Sequence, residues 1–131
     1  MQYAELVAMI AVLQFFFFTV KTGQARGKSG LKAPAMTGDD AFERMYRVQM
    51  NTLEVLAMFI PALFIASNYW SPLLVSGLGT VYLLGRFIYW RAYVLAPEKR
   101  KLGFILSIFP TLILILLSIV GIVMSLVGSQ D

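Results

Sequence analysis

Four apolar stretches, at about 4–20, 45–67, 73–95 and 102–127, constrain this chain more than anything else in it. A hydrocarbon core about 30 Å thick takes about 20 helical residues, with about 17 the shortest usual span. The first stretch sits at that lower limit and the others exceed it. Lipid offers no hydrogen bonds, so a spanning backbone must satisfy its own polar groups as a helix or in a closed barrel. The period-2 alternation of a barrel is missing. The expectation is an all-α integral membrane protein, a bundle of four transmembrane helices forming one domain over 1–131. A hydrophobic content of 59% agrees, since soluble domains hold about 45–50%. The opening Met-Gln-Tyr-Ala-Glu has no basic segment, and Lys21 follows the first apolar run. A cleaved signal peptide has the reverse order, so the first span is expected to stay.

The cations set an orientation. Every Lys and Arg lies within 21–47 or 86–101, while 68–72 and both termini have none. The positive-inside rule predicts loops 21–44 and 96–101 in the cytoplasm and both termini on the opposite side. A pI near 9.6 could suggest nucleic acid. Cations clustered in and beside two loops between apolar spans argue for membrane topology instead, and no nucleic-acid partner is expected. The chain has no Cys and no His. That removes a protein thiolate, a Cys/His zinc site, histidine ligation of haem and an imidazole base, so no metal is expected and any thiol must come from a ligand. The 21–44 loop has Gly23, Gly27, Gly30, Pro34 and Gly38. It is long for a bundle connection, which usually takes about 2–8 residues.

Two polar stripes interrupt the apolar spans. Arg47, Asn51 and Glu54 follow i, i+4, i+7 on the second helix, one face of it, and Arg44 extends that face. Glu54 lies about 10 Å along the axis from Arg47. A charge near the bilayer centre costs about 2.5–3.5 kcal/mol, so it needs a partner, a ligand or a wet cavity. Arg86, Tyr89 and Tyr93 form the second stripe. The plainer readings are an internal Arg–Glu–Asn network that fixes helix packing and, for Tyr82, Trp90 and Tyr93, an interfacial aromatic belt. Pro97 is expected to end the third helix and open the fourth, with Glu98, Lys99 and Arg100 in its first turn. Lys99, Arg100 and Lys101 there would attract an anion together with the helix dipole, or anchor to anionic headgroups. Arginines suit carboxylates, a buried carboxylate suits an ammonium, and tyrosine hydroxyls suit peptide groups or a thiolate. A small zwitterionic peptide such as glutathione fits that inventory, as do other amphipathic anions.

The run Phe42-Glu43-Arg44-Met45-Tyr46-Arg47-Val48-Gln49-Met50-Asn51-Thr52-Leu53-Glu54 and the segment Gly85-Arg86-Phe87-Ile88-Tyr89-Trp90-Arg91-Ala92-Tyr93 resemble two motifs of the MAPEG superfamily, the membrane-associated proteins in eicosanoid and glutathione metabolism. The resemblance is closest to its cysteinyl-leukotriene synthase and microsomal glutathione transferase branch. It implies a homotrimer with glutathione as co-substrate, bound between neighbouring subunits near the cytosolic face. It also implies glutathione-binding roles for Arg26, Arg47, Gln49, Asn51, Glu54, Arg86, Tyr89 and Tyr93, and makes Arg100 the catalytic residue that stabilises the thiolate. The segment 94–99, with Pro97, departs from that branch.

The activity so implied is a membrane glutathione transferase acting on lipophilic electrophiles that arrive through the bilayer, with glutathione-dependent peroxidase activity as a companion. Two alternatives stand beside it. One is a non-catalytic, lipid-binding member of the same superfamily, which would lack turnover. The other is a small proton-coupled drug antiporter, which Glu54 suits, although the first span offers only Glu5 near its outer end.

Overall fold

α1 runs over Gln2–Ser29, well past the apolar run that nucleates it. Lys21, Gln24, Ala25, Arg26 and Lys28 are good helix formers, and single glycines at 23 and 27 weaken a helix without ending it. The helix stops at Gly30, whose φ of 78° belongs to the left-handed region that glycine enters freely. The first connection is therefore the short segment 30–39, and not the 24-residue loop expected from hydropathy; Lys21, Arg26 and Lys28 sit on a helix.

The computed structural model describes residues 2–129, and these form four long helices. α2 covers Asp40–Ser67, α3 Pro72–Leu95 and α4 Lys101–Gly128. α2 starts where Asp39 Oδ2 accepts the Phe42 N–H at 3.0 Å, while Glu43 accepts the Gly38 N–H at 3.1 Å. Asp39→Ala is expected to cost about 1 kcal/mol through this cap, read as a lower thermal midpoint in detergent, with Asp39→Asn close to wild type.

Pro97 does not begin the fourth helix. It forces Ala96 into an extended conformation, φ −155° and ψ 92°, and opens a separate 3-10 turn, Pro97–Lys99. Arg100 sits at the joint, and α4 begins one residue later.

The helices alternate in direction. Gln49 reaches Thr19, Arg44 reaches the Val94 carbonyl, Gln14 reaches the Leu83 carbonyl, and Ser118 reaches the Ala62 carbonyl. The connections 30–39 and 96–100, with the helix ends beside them that hold most of the Lys and Arg residues, thus lie at one end of the bundle. α1 packs on α2 and α3, and α4 packs on α3 and α2, so α1 and α4 occupy opposite flanks. Phe59 and Tyr82 stack face to face in the core, centroids 3.9 Å apart and planes 8° apart. Tyr82 is fully buried and is no part of an interfacial belt.

Large apolar side chains such as Leu6, Leu13, Phe16, Leu84, Leu116 and Leu126 face outward. Lipid is the solvent that suits such a surface, and all four helices are long and apolar enough to cross a bilayer. The protein is a multi-pass integral membrane protein.

α3 and α4 come together at glycine. A Cβ on Gly85 would stand 2.6 Å from the Leu106 carbonyl carbon, and one on Gly103 would fall on the Tyr89 backbone nitrogen. Small residues permit this backbone-to-backbone contact, which carries the start of α4 up against the Tyr89 turn of α3.

Candidate functional site

That contact brings three helices to one polar recess. Arg47, Asn51 and Glu54 of α2, Tyr89 and Tyr93 of α3, and Arg100 at the head of α4 line a hollow of about 290 Å³. A larger cavity of about 530 Å³ shares Asn51, Tyr89 and Arg100 and continues toward Glu98, Lys101 and Phe104. On the other side, Arg47 and Glu54 also border a hollow of about 370 Å³ with Tyr46 and Met50.

The recess opens on the outside of the bundle. Arg47 and Glu54 are exposed, so Glu54 is not the buried carboxylate that its depth along the helix suggested. Among the described residues, the Arg47 guanidinium, the Glu54 carboxylate and the hydroxyls of Tyr89 and Tyr93 have no hydrogen-bond partner within the chain. The internal Arg–Glu–Asn packing network therefore does not form. Its nearest equivalent joins Arg86 to Asn51.

Arg86 is fully buried behind the recess. Its Nη1 donates to Asn51 Oδ1 at 2.9 Å and to Thr52 Oγ1 at 3.2 Å, and its guanidinium lies 4.3 Å from the centre of the Tyr89 ring. One cation thus orients two recess side chains from within. Its Nε and Nη2 find no acceptor, so its charge is incompletely neutralised and biases the recess toward anions. Thr52 went unnoticed in the sequence because a threonine among apolar residues has no distinguishing spacing. Its place beside Asn51 was the available signal.

Tyr89 and Tyr93 pack with ring centres 5.6 Å apart. Arg100 is exposed, its Nη1 donates to the Pro97 carbonyl at 2.9 Å, and its guanidinium lies 5.9 Å from the Tyr93 ring centre. The 3-10 turn thus fastens the side chain at the recess edge, leaving its other donors free for an anion.

Two residues singled out in the sequence lie elsewhere. Arg26 donates to the Ala35 carbonyl at 2.8 Å and stacks 4.4 Å from the Phe42 ring centre. Gln49 donates to Thr19 Oγ1 at 3.2 Å. Both belong to the α1–α2 side, where the extension of α1 carries Arg26, and neither lines the recess of its own chain.

An outward-facing recess with two arginines, a carboxylate and two phenols can hold a small ligand carrying both charges. The adjoining larger cavity reaches Phe104 of α4, an apolar wall that suits a lipophilic second molecule. Among the described residues, no group of three or more carboxylates is placed to hold a metal ion.

The chain is similar to several known proteins along most of its length. It is 40% identical over 121 residues to an uncharacterized protein of Synechocystis sp., covering 92% of this chain and 88% of that one. Against microsomal glutathione S-transferase 2 of Homo sapiens it is 37% identical over 116 residues, covering 88% and 79% of the two chains. With leukotriene C4 synthase of Bos taurus the identity is 30% over 94 residues, 72% of this chain and 63% of the synthase. Residues 4–120 match the model of the MAPEG family. A four-helix membrane bundle, its polar stripes and these matches agree, and the chain belongs to the MAPEG family.

Proposed function

We propose that this protein is a membrane glutathione transferase that activates the glutathione thiol for attack on lipophilic electrophiles. The observation that carries the reading is the recess itself. Six polar side chains from three helices converge on the outer face of a membrane bundle, and four of them keep their polar groups free of partners within the chain. Relatives named as microsomal glutathione S-transferase and leukotriene C4 synthase support the choice of ligand.

Glutathione has two carboxylates, an ammonium and a thiol. Arg47 would take a carboxylate and Glu54 the ammonium, by charge-assisted hydrogen bonds. Asn51 and Tyr89, held by Arg86, and Tyr93 would bind the peptide groups. Arg100 would face the sulfur. A thiol of ordinary pKa, near 8.5, is only a few per cent ionised at neutral pH, and a lowering by about two units makes the thiolate dominant. A guanidinium beside the sulfur favours that anion. The thiolate attacks an electrophilic carbon of an epoxide, activated alkene or aryl halide; the opened epoxide oxygen or the carbanion left by the alkene takes up a proton, and from the aryl halide the halide departs. With a lipid hydroperoxide, two glutathione molecules are oxidised to the disulfide while the hydroperoxide is reduced to alcohol and water.

The outward aspect of the recess also supports a homotrimer. Arg47 and Glu54 would be costly against lipid, and a neighbouring copy would cover them. The α1–α2 side of that copy would bring its own Arg26 and Gln49 to the same ligand. The basic end, with residues 30–39 and 96–100, would face the cytoplasm.

The test is a titration of the detergent-solubilised protein with glutathione, following thiolate absorbance near neutral pH. Wild type should give a saturable signal; none would leave a lipid-binding protein without glutathione chemistry. Arg47→Ala and Glu54→Ala should each raise the glutathione Kd about tenfold or more, the loss of a hydrogen bond to a charged group. Unchanged affinity in both would remove α2 from the site.

A further inference from the structure

The flank of the bundle away from the recess has a second composite groove. Ile10, Leu13, Phe17 and Val20 of α1 and Phe87 of α3 line an apolar trough of about 440 Å³. Gln14 also borders it, but is buried and donates its amide N–H to the Leu83 carbonyl at 3.0 Å. From Ile10 to Val20 the trough follows α1 for about 15 Å. That is half of a hydrocarbon core of about 30 Å, the depth of one leaflet.

At its basic end the trough meets a polar groove of about 380 Å³ whose walls include Lys21, Lys28, Trp90 and Arg91. The two share an aromatic wall. Phe17 meets Trp90 edge-on with ring centres 5.2 Å apart, and Phe87 lies 6.1 Å from the same ring. Lys21 Nζ lies 5.6 Å from the Phe17 ring centre, and the Arg91 guanidinium 5.2 Å from that of Trp90. Among the described residues none of these three cations has a carboxylate partner. Asp39 also borders the groove, but one of its oxygens is committed to the Phe42 N–H. The groove retains three positive charges against one negative.

We infer that this face binds one anionic phospholipid. An acyl chain lies along the α1–α3 trough, Trp90 stands at the headgroup level, and Lys21, Arg91 and Lys28 hold the phosphate and the net negative headgroup. Apolar length, aromatic boundary and cation cluster follow one another along the helices in the order that a phospholipid presents them. A headgroup of net zero charge gains little from the cations, whereas each basic residue near an anionic surface is worth about fivefold in affinity.

The experiment reconstitutes the protein in vesicles of equal phosphatidylglycerol and phosphatidylcholine, extracts it in mild detergent, and counts retained lipids by native mass spectrometry. Wild type should retain about one phosphatidylglycerol per chain, at least tenfold over phosphatidylcholine, a reading that needs no variant. Lys21→Ala with Arg91→Ala should lower that preference roughly tenfold or more. Lys32→Ala with Lys99→Ala, the same change in charge away from the groove, should leave it intact. Equal retention of both lipids by wild type would reduce the trough to ordinary lipid contact and overturn the site. An equal loss in both double variants would overturn it in favour of a general surface field. Because the chain has no cysteine, Phe17→Cys offers a clean crosslink, and efficient disulfide dimers in vesicles would place a second copy there instead.

Discussion

Arg100→Ala is expected to lower turnover with glutathione by about 10²–10³-fold while changing the glutathione Kd only a few-fold. Loss of one preorganised group aimed at a reacting anion typically costs that much in kcat. The peptide would still be held by the α2 and α3 side chains, which explains the small change in affinity. The pH profile separates a chemical role from a structural one. If Arg100 lowers the thiol pKa, wild-type activity should level off near pH 7, because the thiolate is already formed. The variant should keep rising toward pH 8.5 and above, as hydroxide rather than arginine makes the thiolate. Arg100→Lys should recover part of the rate, since it keeps the charge and loses the planar fork. Equal rates in wild type and Arg100→Ala would take Arg100 out of the chemistry.

Gly103→Ala should cost about 3 kcal/mol of stability and abolish glutathione binding at the same time. Its new methyl would fall on the Tyr89 backbone, and backbone cannot move aside as a flexible side chain can. The head of α4 would be driven off α3, carrying Arg100 away from Tyr89 and Tyr93. Gly77→Ala is the matched control, because nothing lies within 4 Å of that position. It should leave the thermal midpoint unchanged or raise it, alanine being the better helix former. Similar midpoints for the two variants in detergent would mean that the α3–α4 contact is not what sets the recess.

Much of the architecture was legible from hydropathy alone. Four spans were expected and four helices formed, because lipid leaves an apolar segment no other way to satisfy its backbone. The end of α1 was not legible in that signal. Hydropathy reports where lipid ends, whereas Lys21–Ser29 remain helical in a polar setting through local propensity until Gly30 stops them. The 3-10 turn after Ala96 is not legible in the sequence either. A proline permits a helix start, but its restriction on the preceding residue took precedence.

The polar stripes show the same division. Spacing alone placed Arg47, Asn51 and Glu54 on one face of α2, and Tyr89 and Tyr93 on one face of α3, because helical periodicity is a property of the chain. Spacing could not tell that Glu54 faces outward, that Arg86 lies behind Asn51, or that Arg26 and Gln49 turn to α1–α2 contacts. Those outcomes depend on how helices rotate and approach one another. In this bundle that is decided by close packing at Gly85 and Gly103 and by the Phe59–Tyr82 stack. Span number, helical state and the membership of each stripe follow from local chemistry and the solvent, and the sequence determined them. Which stripes meet, which side chain lies in front of which, and that the recess opens outward were decided by tertiary packing, because contacts between helices depend on residues far apart in the chain.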